Sequence, residues 1–474
     1  MTQIFFGTDG WRGLMSEDFT FENLSLVAQA LADYLKITHS EEKLKVAVAY
    51  DGRKHSSEFA QRMAEILSGN KIIVFLSENV IPTPVLSWFT WHKACQAGVM
   101  LTASHNPPEY NGTKFKAAYG GPFLTEMTHQ VEALLGKSPL RESDTFQPAN
   151  MLQPYLENLK ALINFELLAK NPLSIVVDNM GGAGQTLLEK ILQPLGYKVT
   201  TIDGEARSDF FGRSPEPVER NLQPLLKAMG ESDAAAGFAT DGDADRLGAV
   251  LDGGIYLSAQ ELILLLADEL IKRQGRRGQI IGTSSVTHKL KNHFSDSENP
   301  FCEVQVGFKY ITEAMMHSPT VLGCEESGGF GYGFNIPERD GILSALLILQ
   351  GMAAQAYQKL SQWLSDLRQR VGEVHYDRID YHTDCEDRTK RLPRLFQRGV
   401  MEIAGRRIER TEAFYSSRGV VNGLKFRMNL DSAWLLLRAS ETEPIIRIYA
   451  EAESEQAVQE LLNFGKELFD KESN

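Results

Sequence analysis

The sequence predicts an α/β protein of several domains, with three related α/β units built on mixed sheets and a smaller α+β unit after them. Three observations carry this. The chain has 474 residues, too many for one core at roughly 100–200 residues per domain. Three times along it, short apolar strands alternate with amphipathic helical stretches, the pattern of βαβ units. From about Val374 the rhythm changes to two apolar strands and a closing helix.

The first block reads KVAVAYD as strand, SEFAQRMAEILSG as helix, and KIIVFL and AGVMLT as strands. The second reads LSIVVDNMGGAG as a strand with a glycine turn, QTLLEKILQPLG as helix, YKVTTID as strand, and AAAGFATDGDADR as a strand leaving into a loop. The third has the helix AQELILLLADELIKR, the strand QIIGTSS, a strand and loop in PTVLGCEESGG, and a long helix in DGILSALLILQGMAAQAY. In the tail, WLLLRAS and PIIRIYAEA read as strands and EQAVQELLNFGKELF as helix. Polar, loop-rich boundaries fall near Ser138–Gln153, Asp252–Ser258 and Val371–Tyr381. Each block has a strand running into a polar loop. Ligands of open α/β sheets sit beyond the carboxyl ends of strands, so four such loops can face one cleft.

Composition narrows the function. The chain is 43% hydrophobic and 23% charged, as an ordinary globular protein is. Lys and Arg total 49 against 62 Asp and Glu, a net charge of −13. That acidity argues against nucleic acid as a partner, while a local arginine cluster can still hold an anionic small molecule. No run of about 18 apolar residues exists to span a membrane. The opening MTQIFFGTDGWRG lacks the features of a signal peptide. Cys95, Cys302, Cys324 and Cys385 are scattered without a CxxC pair, and are read as reduced thiols of a cytoplasmic chain.

Four loops carry chemistry-bearing residues. In TASHNP, Ser104 follows an apolar strand and is stiffened by Pro107 and Pro108. The stretch is either a plain turn or a hydroxyl fixed for phosphoryl or nucleophilic work. No GxSxG elbow surrounds it. In TDGDADR, Asp241, Asp243 and Asp245 alternate, as carboxylates do around a hard cation. Arg246 stands where a calcium loop of the EF-hand type needs glycine, which rules against that loop. Three acids packed between apolar strands repel one another without a cation, and Mg²⁺ fits better than Ca²⁺ if a phosphate is also touched. In GCEESGG, Glu325 and Ser327 lie in a glycine-rich loop suited either to sugar hydroxyls or to solvent. In RASETEPIIRIYAE, Arg438, Ser440, Thr442 and Arg447 make either a polar strand end or a cage for a phosphate dianion. Arg12 and Lys309 are further cations.

Together FGTDGWRG, TASHNP, DGDADR, CEESGG and RASETEP resemble, in chain order and across almost the whole chain, the α-D-phosphohexomutase family of phosphoglucomutases and phosphomannomutases. The resemblance implies four domains around a deep central cleft. They are a phosphoserine domain (1–148), a metal-binding domain (149–255), a sugar-binding domain (256–373) and a phosphate-binding C-terminal domain (374–474). It implies that Ser104 is the phosphorylated serine and that Asp241, Asp243 and Asp245 bind Mg²⁺ with it. Glu325 and Ser327 then bind sugar hydroxyls, with Lys309 also on the substrate. Arg438, Ser440, Thr442 and Arg447 hold the phosphate that is not transferred. Arg12 and Arg246 lie near the reacting phosphoryl group, and Lys114 or His105 serves as acid/base. Two departures stand out. Gly329 occupies a position where some relatives have histidine, which leaves the second acid/base open, and Arg339 in IPERDG stands where phosphoglucomutases carry lysine; arginine does not deprotonate usefully, so the resemblance implies that Arg339 binds substrate as a charge stabiliser or phosphate contact.

The expected reaction is hexose 1-phosphate ⇌ hexose 6-phosphate through a 1,6-bisphosphate intermediate, with a sugar 1,6-bisphosphate as activator. The expected partner is a phosphosugar, for a monomer or homodimer, and the fourth domain is expected to hinge while the intermediate turns over. CEESGG and VGFKY favour glucose, with mannose second. The alternatives are a phosphoglucosamine mutase, a phosphopentomutase, a glucose-1,6-bisphosphate synthase, a Mg²⁺-dependent phosphatase, or a non-catalytic sensor on the same scaffold.

Overall fold

The computed structural model of the chain describes residues 4–7, 9–39, 43–382, 388–416, 419–429, 432–439 and 445–470. Its first three sheets share one device. A buried parallel strand leads through a short polar loop into an antiparallel neighbour. In the first sheet the order is Trp11–Leu14, Tyr110–Ala117, Ala97–Leu101, Lys45–Tyr50, Ile73–Ser77, Gln147–Ala149. Ala97–Leu101 runs parallel to Lys45–Tyr50 and antiparallel to Tyr110–Ala117, with Leu101 opposite Thr113. In the second, Ala236–Thr240 is parallel to Ser174–Asp178 and turns back into Leu247–Leu251, with Thr240 opposite Leu247. In the third, Thr320–Cys324 is parallel to Gln279–Thr283 and turns back into Phe330–Gly331. All three outgoing strands are buried along their whole length, which is why they read as unbroken apolar runs. The loops between the paired strands hold TASHNP, DGDADR and EESGG.

The fourth sheet is wholly antiparallel, in the order His375–His382, Ile445–Ala452, Ala433–Ala439, Val421–Met428, Arg410–Tyr415. The helices Arg388–Arg398 and Glu455–Asp470 pack on it, and their apolar stripes make a separate core.

Between the second and third units runs the helix Gly341–Ala354, buried from Gly341 to Ala353. It is apolar all round because every face meets protein. Asp340 caps it, accepting from Leu343 N at 2.9 Å, and also accepts from the Tyr155 hydroxyl at 2.8 and 2.9 Å. The predicted helix Ala259–Arg273 is α-helical to Ala267 and continues as a π-helical turn, Asp268–Arg273. Here Asp268 accepts from Trp363 Nε1 and pairs with Arg273 and Arg370.

The fourth unit seats on the third through buried charge. Glu303 pairs with Arg427 at 2.6 Å and Lys425 at 3.2 Å. Glu451 accepts from Thr287 Oγ1 at 2.5 Å, His288 N at 2.9 Å and Trp434 Nε1 at 2.7 Å. Its contact with the second unit is thinner, an Arg378–Glu216 pair at 3.7 Å. Among the described residues, no helix is long and apolar enough to cross a membrane, and Cys95, Cys302 and Cys324 are free thiols.

Candidate active site

The TASHNP loop leaves the end of Ala97–Leu101 by a forced bend. Ser104 is fully buried and sits at φ 53, a left-handed backbone that non-glycine residues adopt at a cost and usually for a functional reason. Its amide donates to Thr102 Oγ1 at 2.8 Å, and Asn106 N donates to Ala103 O at 3.0 Å. Held this way, Ser104 Oγ donates to Asp241 Oδ2 at 2.9 Å. The serine of the first unit thus meets the aspartate loop of the second.

That loop turns on Ala244, also left-handed at φ 56. Gly242 has no side chain because a Cβ there would strike the Ser104 carbonyl oxygen; the two loops approach backbone to backbone. Asp241, Asp243 and Asp245 are fully buried, and one oxygen from each lies within 4.8 Å of the others. Asp241 Oδ1 accepts from Arg246 N at 3.1 Å. Asp243 Oδ2 accepts from Thr83 Oγ1 at 2.5 Å and Lys114 Nζ at 2.7 Å, and Asp245 Oδ2 accepts from Lys114 at 2.8 Å. Asp243 Oδ1 and Asp245 Oδ1 have no hydrogen-bond partner although both are buried. Unpaired buried carboxylate oxygens are costly, and the all-oxygen donor set is that of a hard divalent cation. Burial, then the Asp245 and Asp243 charges, push Asp241 well above the ordinary carboxylate range. At Asp243 burial acts the same way, but the Lys114 ammonium, the Thr83 hydroxyl and the Arg339 charge together outweigh it and hold the group low. The residues present therefore fit a metal ion.

A band of alternating charge joins this loop to the third unit. Lys114 and Lys116 share one face of Tyr110–Ala117. Lys114 also pairs with Asp9 at 3.0 Å, and Lys116 with Glu338 at 2.5 Å. Arg339 is buried, pairs with Asp9, reaches Asp245 Oδ2 at 2.7 Å, and lies 3.5 Å from Glu325 Oε2. Burial lowers the Lys114 pKa, but Asp243, Asp245 and Asp9 outweigh it and hold the ammonium charged. Glu325 is pushed up to about 7 by burial, against the pull of Arg339. The sugar-loop candidate pairs with the aspartate loop through an Arg246–Gly329 bridge and a Leu247 N to Gly328 O bond of 2.9 Å.

The remaining expected residues fall around the same space. Arg12 donates to Asn106 Oδ1 at 2.7 Å. Burial, then the Arg246, Arg12 and Arg447 charges, hold His105 neutral well below the usual imidazole range. Ser327 is half-buried at the turn of its loop. Lys309 and Arg438 line one small cavity between the third and fourth units. Arg447 faces Arg438 on the adjacent strand and lies 3.5 Å from Asp380. Ser440 and Thr442 lie outside the described residues. Sequence reasoning did not single out Asp9, Thr83, Asn106, Lys116 or Glu338. Asp9, Asn106 and Glu338 stand inside quoted stretches, which was the available signal; Thr83 and Lys116 are carried on elements with no motif.

Models of the phosphoglucomutase/phosphomannomutase family match in series. Its α/β/α domains I, II and III match residues 3–141, 153–254 and 258–371, and its C-terminal domain matches 391–464. A phosphoglucomutase/phosphomannomutase from Thermococcus kodakarensis is 28% identical over 470 residues, covering 98% of each chain. A relative from Methanosphaera stadtmanae, named for phosphoglucosamine mutase, is 29% identical over 459 residues and 95% of each chain. A solved structure from Thermus thermophilus, named for phosphomannomutase, superposes with TM-score 0.85 at 33% identity and 99% of each chain.

Proposed function

The chain belongs to the phosphoglucomutase/phosphomannomutase family of mutases, and from that premise we propose that it interconverts hexose 1-phosphate and hexose 6-phosphate through a phosphorylated Ser104. One observation carries the reading: Ser104 Oγ is hydrogen-bonded into a buried aspartate triad that has two partnerless oxygens.

In this reading Asp241, Asp243 and Asp245 hold Mg²⁺ with the serine phosphate. When bound, the ion neutralises charge on the transferring phosphoryl oxygens. The free sugar hydroxyl attacks phosphorus, the new O–P bond forms as the Ser104 Oγ–P bond breaks, and the hydroxyl proton passes by way of a base to the released Ser104 oxygen. In this reading the base is Lys114 or His105; burial and its arginine neighbours keep His105 neutral, which suits it to take that proton, while Lys114 stays a cation beside the triad. Arg12 and Arg246 face the phosphoryl group. Glu325, Ser327 and Lys309 hold the sugar, and Arg339 ties Glu325 to the triad. Arg438, Ser440, Thr442 and Arg447 cage the other phosphate. The hexose 1,6-bisphosphate then turns end for end, and Ser104 takes back the second phosphoryl group by the reverse step.

Glucose is the preferred sugar and mannose the second. A phosphoglucosamine reading is favoured by the names of several relatives at 27–29% identity. The test is a coupled assay with Mg²⁺ on the 1-phosphates of glucose, mannose and glucosamine, each with its 1,6-bisphosphate, in wild type and Ser104→Ala. We expect rapid 6-phosphate formation, fastest with glucose, that collapses in the variant. No isomerisation of any of the three would sink the reading; a glucosamine rate above the glucose rate would replace the sugar.

A further inference from the structure

Three residues past the strand Lys45–Tyr50, the stretch YDGRKHS places an arginine that the mechanism above does not use. Arg53 is 3% exposed. A buried guanidinium needs partners for all five of its N–H groups. Its two terminal nitrogens donate to four backbone carbonyls of one loop: Ser104 O at 2.7 Å, Asn106 O at 2.6 Å, Pro107 O at 2.8 Å and Tyr110 O at 3.0 Å. Its Nε pairs electrostatically with Asp51 Oδ2 at 3.2 Å, outside hydrogen-bond geometry. Asp51 Oδ1 in turn accepts from Arg53 N at 3.0 Å and Ser56 Oγ at 2.9 Å, so the carboxylate is itself fixed.

The open side of the guanidinium is closed by the second unit. Its Cζ lies over the ring of Phe210, 4.7 Å from the centroid, and Phe210 is itself fully buried. Phe210 and Phe211 are consecutive left-handed residues, at φ 49 and 55, a strained turn that puts Phe210 under the serine loop. Ser214 Oγ on the same segment donates to His105 O at 3.1 Å. The serine loop is thus held from below by side chains of two units, while its hydroxyl faces the triad above.

We propose that Arg53 is the positioning residue of the reactive serine: its planar fork holds Ser104 in the left-handed conformation that aims Oγ at Asp241. The proposal rests on Ser104 as the phosphoryl carrier. A lysine cannot substitute, because three donors radiating from one nitrogen cannot span four carbonyls. In-line transfer is steeply sensitive to placement, so loss of the fork slows chemistry while leaving sugar binding to residues elsewhere in the cleft.

The test is single-turnover phosphorylation of Ser104 by labelled glucose 1,6-bisphosphate with Mg²⁺, in wild type, Arg53→Lys and Arg53→Ala, with thermal midpoints measured alongside. Arg53→Lys keeps the ion pair with Asp51 and should melt within about 5 °C of wild type. Its phosphorylation rate should fall about 100-fold, with the half-saturating bisphosphate concentration moved less than about threefold. Ethylguanidinium added to Arg53→Ala should restore at least about tenfold of the lost rate, and ethylamine should not. Wild-type-like phosphorylation by Arg53→Lys overturns the proposal, as does a defect confined to half-saturation. Rate losses in both variants that follow a collapsed melting point, with no guanidinium rescue, overturn it too. If wild type itself is not phosphorylated on Ser104, the function proposed above fails and this inference falls with it.

Discussion

Asp243 and Asp245 each keep one oxygen on Lys114 and leave the other buried without a partner. Converting Asp245 to asparagine removes one carboxylate of the proposed Mg²⁺ site and leaves the ammonium with fewer counter-charges. We expect Asp245→Asn to weaken Mg²⁺ by at least about tenfold and to cut kcat by about a thousandfold, several kcal/mol of lost charge stabilisation. Titration calorimetry and steady-state kinetics check both. His105 gives a second expectation. Burial and its arginine neighbours hold it neutral well below the usual imidazole range, so as pH falls the base form persists through the ordinary histidine pKa of about 6.5. The acid limb of kcat should therefore lie below about 6.5, and a limb at or above that value would exclude His105 as the base. Residues of this kind were legible in the sequence only when a short stretch held them together. The triad is spaced i, i+2, i+4, and Ser104 is framed by prolines. Thr83, and the pairing of Glu338 within IPERDG, were not legible, because their partners Asp243 and Lys116 lie 160 and 222 residues away and only the fold brings them together.

At the scale of elements, the strongly apolar strands and the long helix were readable because complete burial removes polar residues from every face. The returning strands were not. Tyr110–Ala117 and Leu247–Leu251 follow directly on the serine and aspartate loops, and Phe330–Gly331 is only two residues long, too short for any alternation to register. Helix Gly341–Ala354 depends on Asp340, which caps it and accepts from Tyr155. Asp340→Ala should destabilise the protein by about 1–2 kcal/mol, for a lost cap and a stranded hydroxyl. Asp340→Asn keeps the cap oxygen. Burial pushes the native carboxyl up to about 7, above its unfolded value, so its contribution is present in acid and is lost as pH rises from about 4 to 7. The asparagine variant does not titrate, and its stability relative to wild type should improve over that window and level off above it. A pH-independent difference in thermal midpoint would contradict this.

For the whole molecule, the uneven seating of the fourth unit sets the expected motion. Glu303 and Glu451 bind it to the third unit through buried partners, whereas Arg378–Glu216 alone among the described ion pairs ties it to the second. The fourth unit should close toward the second about its contact with the third when a bisphosphate is bound, and small-angle scattering should show a smaller radius with ligand. Identical profiles would argue against the motion. None of this seating was visible in the sequence, because Glu303, Lys425 and Arg427 read as ordinary surface charges until the two units meet. The central claim is that one phosphoryl group shuttles between Ser104 and sugar. Its most direct test is to label Ser104 with radioactive glucose 1,6-bisphosphate and Mg²⁺, remove the excess, and chase with unlabelled glucose 1-phosphate. The account predicts stoichiometric label on Ser104 that returns to hexose bisphosphate and hexose 6-phosphate. Label released as inorganic phosphate at the rate of its loss from the protein would contradict it.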